Sequence, residues 1–250
     1  MGLSVIIITK NEALNLADCL RSVAWADERI IVDSGSSDAT VSIAQEHGAQ
    51  VVLNPVWPGF GPQKQIALNH ATQDWVLSLD ADERITSALQ AEIQAAMTQA
   101  DAPVGYEIPR LSYFCGQPVR HCGWTPDYVL RLFRRNAARF SDDLVHEKVL
   151  LNGHSARLAH SMTHYSYRTQ EDVARKIEHY SSAAAQQMFA KGKRSSALAA
   201  QLRGAWAFVR TFVIKLGFLD GATGWQVAQM NAATTRLKYL KLCALQRTAR

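Results

Sequence analysis

Short unbroken apolar runs alternate along the first hundred residues with segments whose apolar positions recur every three or four. Ser4 to Thr9 is a mostly β-branched run without polar alternation, which predicts a strand covered on both faces. Leu16, Cys19, Leu20 and Val23 then recur at helical spacing, predicting a helix over Asn11 to Ser22. Arg29 to Asp33 reads as a second buried strand, closed by Ser34-Gly35-Ser36-Ser37-Asp38, a turn that also supplies a helix cap. Val41 to His47 predicts a helix ended by Gly48, and Gln50 to Leu53 a third strand. Pro55 to Pro62 reads as a loop, Gln63 to Ala71 as a helix, and Trp75 to Leu79 as a fourth strand. Strands alternating with helices predict an α/β fold, with a Rossmann-like, mainly parallel sheet flanked by helices.

Beyond the helix predicted for Ser87 to Ala100, the pattern changes to short strands and loops through Tyr106 to Phe114 and Val129 to Phe133. From Thr169 it becomes helical: a capping box with Asp172 in place of Glu or Gln precedes a stripe of Val173, Ile177, Tyr180, Ala184 and Met188. The expected division is a catalytic domain over residues 1–167 and a helical extension over 168–250. Charge follows the same division. Residues 168–250 carry 14 Lys/Arg against 4 Asp/Glu, and residues 1–167 carry 13 against 18. A basic tail on an acidic domain points to an anionic partner, either nucleic acid or a phospholipid surface.

In such a sheet, ligands bind beyond the carboxyl ends of the strands. Thr9-Lys10-Asn11-Glu12, Asp33 and Asp80-Ala81-Asp82 end the first, second and fourth strands, so all three groups fall on one edge. Two positions apart on an extended segment, Asp80 and Asp82 face the same way, and their repulsion calls for a cation between them. Mg²⁺ or Mn²⁺ held jointly with a diphosphate suits such oxygen ligands. The alternative is that one Asp caps the next helix while the other is solvated. Lys64 and Asn69, on the helix before the fourth strand, either reach this edge or lie on a solvated helix face.

The strings Ser4-Val5-Ile6-Ile7-Ile8-Thr9-Lys10-Asn11-Glu12, Ile31-Val32-Asp33-Ser34-Gly35-Ser36-Ser37-Asp38 and Asp80-Ala81-Asp82-Glu83 resemble the inverting family-2 glycosyltransferases of the A-type fold. Arg131-Leu132-Phe133-Arg134, Val145-His146-Glu147 and Gly217-Phe218-Leu219-Asp220-Gly221 resemble a narrower group, the lipopolysaccharide-core β-1,4-glucosyltransferases acting on inner-core heptose. The resemblance implies a metal-dependent transfer of a hexose, glucose from UDP-glucose, onto that heptose. It implies that Asp33 accepts from the uracil ring, with Thr9 and Glu12 completing the nucleoside pocket. Asp80 would hold the ribose or a metal-bound water, and Asp82 would ligate the metal, whose Lewis acidity offsets charge on the departing UDP. The base that takes the acceptor proton falls at Glu147, with Asp143, Asp142 and Asp127 as alternatives. Glu147 is otherwise a surface charge paired with Lys148, and His146 either contacts the acceptor or fills a pocket wall. His164 is either a third metal ligand or structural. Wider readings are a family-2 transferase acting on another lipid-linked or cell-envelope glycan, or a non-catalytic nucleotide- or nucleic-acid-binding protein.

Missing motifs narrow the choice. Neither G-x-G-x-x-G nor G-x-x-x-x-G-K-[ST] is present, and Cys115, His121 and Cys122 lack zinc-site spacing. Four scattered cysteines and no signal-peptide pattern lead us to expect a cytoplasmic protein. No run approaches the ~20 apolar residues that span a bilayer. At 100° per residue, Leu202, Ala205, Trp206, Phe208, Val209, Phe212, Val213, Leu216 and Leu219 share one side of a helix over residues 202–219, with Arg203 and Arg210 opposite, Lys215 at the edge, and Ile214 and Phe218 interrupting the polar face. That helix lies on an anionic membrane surface, packs in the core or joins a homodimer. A lipid-linked acceptor (lipid A-core) favours peripheral attachment at the cytoplasmic face of the inner membrane. Nucleic acid is the less expected partner, because the acidic cluster would repel it.

Overall fold

The computed structural model describes residues 1–141 and 148–248, and the chain falls into two compact units. The first comprises Met1–Arg110 with Asp127–His164, and the second Leu111–Pro126 with Tyr165–Arg250. In chain order the elements are β1 (Leu3–Thr9), α1 (Ala13–Ser22), β2 (Glu28–Asp33), α2 (Thr40–Glu46), β3 (Gln50–Leu53), α3 (Phe60–His70), β4 (Trp75–Asp80), β5 (Glu83–Arg84) and α4 (Ser87–Thr98). After them come β6 (Gly105–Phe114), β7 (Gln117–Pro118), β8 (Tyr128–Arg134), β9 (Ala138–Phe140), β10 (Val149–Leu151), β11 (Ser155–Arg157) and β12 (Met162–Tyr167). Three long helices close the list: α5 (Gln170–Ala190), α6 (Ala197–Val209) and α7 (Gly221–Thr248).

In the first unit β3, β2, β1 and β4 lie side by side and parallel, as the alternating pattern predicts. β8 then pairs antiparallel with β4, and β6 antiparallel with β8. The continuous apolar runs have the expected cause. Val5, Ile7 and Ile31 pack beneath α1 and α4, against Leu16, Leu20, Leu89 and Ile93. Ile6, Ile30 and Val32 face the other way, onto Ala67 and Leu68 of α3. Both faces of the strand are therefore buried, and each side chain contributes about 1.5–3 kcal/mol of burial. The registers Thr9↔Asp33 and Ile8↔Asp80 bring the ends of β1, β2 and β4 to one edge.

Three elements depart from the pattern. α3 starts at Phe60 and not at Gln63, because Pro62 sits in the first turn, where its missing N–H has no partner to lose. The second unit takes in residues 111–126 as well as the tail, because Phe114, Val119 and Cys122 pack with Val173, Val227 and Met230 in a core of their own. The expected stripe on α5 rotates after Ile177: Ser181 and Ala185 are buried while Tyr180 is exposed. Lys241 on α7 donates to Ser181 Oγ and Ser182 Oγ, both at 2.8 Å, and such a close contact suits small side chains.

The helix expected over residues 202–219 is broken. α6 ends at Val209 and Arg210–Ile214 form a single π turn. Leu216 takes a left-handed φ of 55°, and Gly217–Asp220 continue as a 3₁₀ turn. A helical wheel therefore holds only to Val209. Among the described residues, no helix is long and apolar enough to cross a membrane.

Candidate active site

The end of β1 and the turn after β2 are joined by side chains. Asp33 is fully buried, and its Oδ1 accepts from the backbone of Gly35 (3.0 Å) and Ser36 (2.8 Å). Its Oδ2 accepts from the hydroxyls of Thr9, at 2.9 Å, and Ser36. A carboxylate offers about four acceptor positions, and the chain fills all of them. Gly35 meets the turn with a φ of 81°, which costs a residue without a Cβ little. Asn11, also left-handed, accepts from Ser37 N through its side chain (2.8 Å), and Glu12 N donates to Thr40 Oγ1 (2.8 Å). Beside this framework opens a cleft of about 490 Å³ lined by Ile8, Thr9, Lys10, Glu12, Trp57 and Phe60. Trp57 and Phe60 meet edge to face at 4.9 Å between ring centroids, and both keep more than two fifths of their surface exposed.

At the end of β4, Asp80 is enclosed by cations. Lys64 Nζ reaches Asp80 Oδ1 at 2.9 Å, and Arg131 of β8 donates to Oδ2. Arg131 also donates to Glu83 Oε1 at 2.7 Å, and the other oxygen of that fully buried carboxylate accepts from Asp80 N at 2.9 Å. Burial alone would raise the Asp80 carboxyl; Arg131, then Lys64, overcome it and hold the group well below the usual carboxylate range. The same two carboxylates hold Arg131 above its ordinary value against the effect of its burial. Arg110 joins from β6, 3.4 Å from Glu83 Oε1, and binds Asp127 through Nε (2.9 Å) and Nη2 (2.7 Å). Arg84 secures the turn, donating to the carbonyls of Ala81 and Asn15 at 2.7 Å each.

β4 ends at Asp80 and the next two residues form a turn, so Asp80 and Asp82 do not share a face of an extended strand. The cations that offset Asp80 are Lys64 and Arg131, and both of its oxygens are engaged. Asp82 does meet His164. Pairing of β5 with β12 sets His164 opposite Glu83, and His164 Nε2 lies 3.5 Å from Asp82 Oδ2. Among the described residues, no cluster of three or more His, Cys, Asp or Glu side chains is placed to hold a metal. The pair nevertheless fits a Mg²⁺ or Mn²⁺ ion, since such ions commonly take one or two protein ligands and complete their shell with phosphates and water.

Residues 4–140 match the sequence model described as "Glycosyl transferase family 2". The chain belongs to that family. It is 32% identical over 96% of its length to an uncharacterized glycosyltransferase, RP128, of Rickettsia prowazekii (strain Madrid E), covering 86% of that protein. It is 33% identical to the lipopolysaccharide core biosynthesis glycosyltransferase LpsC of Rhizobium meliloti (strain 1021), over 78% of this chain and 74% of LpsC. Among solved structures, S. aureus TarS 1–349 in complex with UDP aligns with a TM-score of 0.52 and 16% identity, covering 100% of this chain and 92% of TarS. At that identity the likeness shows a shared architecture: the α/β fold is that of an A-type glycosyltransferase with a C-terminal helical extension.

Within this family-2 glycosyltransferase, Thr9, Glu12, Lys64, Asp80, Asp82 and His164 gather in the first unit at the carboxyl edge of the parallel strands, with Asp33 beneath them. Asn69 accepts from Gln65 Nε2 (2.8 Å) on an exposed face of α3. Glu147, Asp142, Asp143 and His146 lie outside the described residues. Sequence reasoning passed over Arg131, Glu83, Arg110, Trp57 and Phe60 as site residues. Arg131 carried a signal, being a charge set between Leu130 and Leu132, where burial requires a partner; Glu83, flanked by Asp82 and Arg84, carried none. Trp57 carried a weaker one, an aromatic in a Pro/Gly loop.

Proposed function

We propose that this glycosyltransferase moves a hexose, glucose from UDP-glucose, onto the heptose of a lipopolysaccharide inner core, with inversion. One observation carries the reading: the polar ends of three adjacent parallel strands converge beside an aromatic-walled cleft, with Asp82 of the following turn beside His164 of β12. The uracil ring enters the cleft against the Trp57–Phe60 pair, meeting Thr9, Lys10 and Glu12. Asp33, with its acceptor positions filled, holds Thr9 of the cleft wall through its hydroxyl in place of reading the base. Lys64 and Arg131 fix Asp80 at the ribose and diphosphate. Asp82 and His164 hold the Mg²⁺ or Mn²⁺ ion, which supplies Lewis acidity toward the departing UDP when bound. Glu147 takes the acceptor proton. The inner-core acceptor rests on the likeness to LpsC and on the motifs of residues 131–134 and 217–221.

Asp82→Ala tests the metal assignment. UDP with Mn²⁺ at 100 times its Kd stabilises a protein by ~2.7 kcal/mol, a thermal shift of roughly 5 to 11 °C for a protein of this size. The variant is expected to lose most of the Mn²⁺-dependent part of that shift, along with transfer. An unchanged shift and turnover with Mn²⁺ would remove Asp82 from the metal site.

The second unit docks on the cytoplasmic face of the inner membrane. Half of the exposed large apolar side chains among the described residues lie between residues 198 and 225, including Trp206, Val213, Ile214 and Leu219. Arg203, Arg210 and Lys215 are interspersed with them, a composition suited to an anionic bilayer surface. Phe212 instead packs in a ring cluster with Phe208, Phe218 and Trp225, so charging it would disturb the fold. Trp206→Glu with Ile214→Glu is expected to release the protein from anionic vesicles, with melting and activity on a delipidated acceptor unchanged. Retained vesicle binding would overturn the assignment. A concentration-dependent dimer abolished by the same pair would give the face to a second copy of the chain.

A further inference from the structure

The second unit contains a cavity of about 300 Å³ that the transferase chemistry does not use. Its wall carries Arg210, Lys215, Trp124 and Asn231. The backbone builds it deliberately. In the π turn Lys215 N donates to Arg210 O at 2.8 Å, which returns the chain after five residues and sets both cations on the cavity wall. Single π turns are rare inside helices and recur at functional sites. The break is held by close backbone contact: a Cβ on Gly224 would lie 1.7 Å from the carbonyl oxygen of Gly217. On the other side, Cys122 N donates to Lys215 O at 2.9 Å. The aliphatic part of Lys215 lies over Gly123, whose missing Cβ would sit 3.4 Å from it. Trp124 is fixed by stacking on Tyr167, 5.9 Å between centroids.

Two cations therefore point at one cavity, and neither side chain has a hydrogen bond or ion pair among the described residues. The nearest carboxylate in the sequence of this wall, Asp220, is engaged by Arg120 N, His121 N and His121 Nδ1. Asn231, on the same wall, donates Nδ2 to Thr211 Oγ1 at 3.1 Å. The occupant that matches two unpaired cations beside an amide is a phosphate group. Its source follows from the neighbours in sequence: Val209, Val213, Ile214, Leu216, Phe218 and Leu219 are all exposed around these cations. We propose that Arg210 and Lys215 form a specific site for the phosphate of a membrane lipid, which fixes the second unit on the bilayer. The inference rests on the membrane reading above.

The experiment measures binding of the full chain to phosphatidylcholine vesicles doped with phosphatidic acid or, at matched surface charge, with oleate. Arg210→Ala with Lys215→Ala is compared with Lys191→Ala plus Lys193→Ala, which removes equal charge from exposed positions after α5. Each cation gives up a charge-assisted hydrogen bond to phosphate, about 1.5 kcal/mol, so the first pair should weaken phosphatidic acid binding by roughly a hundredfold. It should weaken oleate binding much less, and the control pair should do little to either. Circular dichroism checks that the fold is intact, as expected for exposed side chains. Equal losses from both pairs would overturn the site while leaving the membrane reading in place. Binding of inorganic phosphate without vesicles, lost in the first pair and with no lipid preference, would make this a free-phosphate site. No association of the native chain with either vesicle would overturn the inference and the membrane reading together.

Discussion

Arg131→Met is expected to lower the melting temperature by roughly 6 to 12 °C, the shift that about 3 kcal/mol produces in a chain of this length. Glu83 is the reason. Its carboxylate is wholly shielded from water, and Arg131 is its nearest cation at 2.7 Å; Arg110, at 3.4 Å, compensates only in part. Removing one partner of a buried pair leaves a charge that water does not reach and that Arg110 only partly offsets. Glu83→Gln added to Arg131→Met should recover part of the loss, because it removes the orphaned charge and keeps the hydrogen bond from Asp80 N. The pH dependence has a definite sign. Asp80 titrates below its ordinary range because Arg131 and Lys64 outweigh the effect of its burial. Its contribution is full above the unfolded-state value, about 3.9, and disappears as pH falls below that toward the lowered folded value. The stability gap between native and Arg131→Met should therefore narrow on acidification through that window. Melting within about 2 °C of native at neutral pH, the range of a neutral surface change, would show that Arg131 does not hold the site together.

The parallel half of the sheet was legible because its cause is local. An apolar run of five or six residues ending in Thr9, Asp33 or Asp80 states both that the strand is buried and where it reaches solvent. What was illegible depends on partners distant in sequence. Asp80 and Asp82 suggested a metal between two like charges, yet the cations beside Asp80 arrive from α3 and β8, sixteen and fifty-one positions away. Periodicity likewise could not show that the helix after residue 197 changes to a π turn at Arg210. Side-chain spacing is the same in sequence whether or not the backbone keeps 3.6 residues per turn. Pro62 was misread for the opposite reason: a strong local signal for a loop is also permitted in the first turn of a helix, and here that helix brings Lys64 to Asp80. The cleft wall of Trp57 and Phe60 was missed because a loop pattern does not reveal what its aromatic residues face.

Glu147→Gln is expected to reduce kcat by ~10²- to 10⁴-fold, the usual contribution of a positioned general base. An acceptor hydroxyl is a poor nucleophile until its proton has somewhere to go, and single displacement at the anomeric carbon offers no covalent intermediate to divide the barrier. Gln keeps the size and reach of Glu but cannot take that proton. UDP binding and its Mn²⁺-dependent thermal shift should persist, since both are assigned to residues of the parallel edge, and the melting temperature should be unchanged. The described alternative is Asp127, whose Oδ2 is held by Arg110 through two nitrogens, at 2.9 and 2.7 Å. An oxygen engaged by two guanidinium nitrogens has less acceptor capacity left for an incoming hydroxyl. Asp127→Asn should therefore cost less than tenfold in kcat, with any loss accompanied by lower stability. Steady-state and single-turnover rates on both variants decide between them. A Glu147→Gln enzyme within about threefold of native, beside an Asp127→Asn enzyme slowed a hundredfold, would move the base to Asp127. It would also mean that the Arg110 pair opens when acceptor binds.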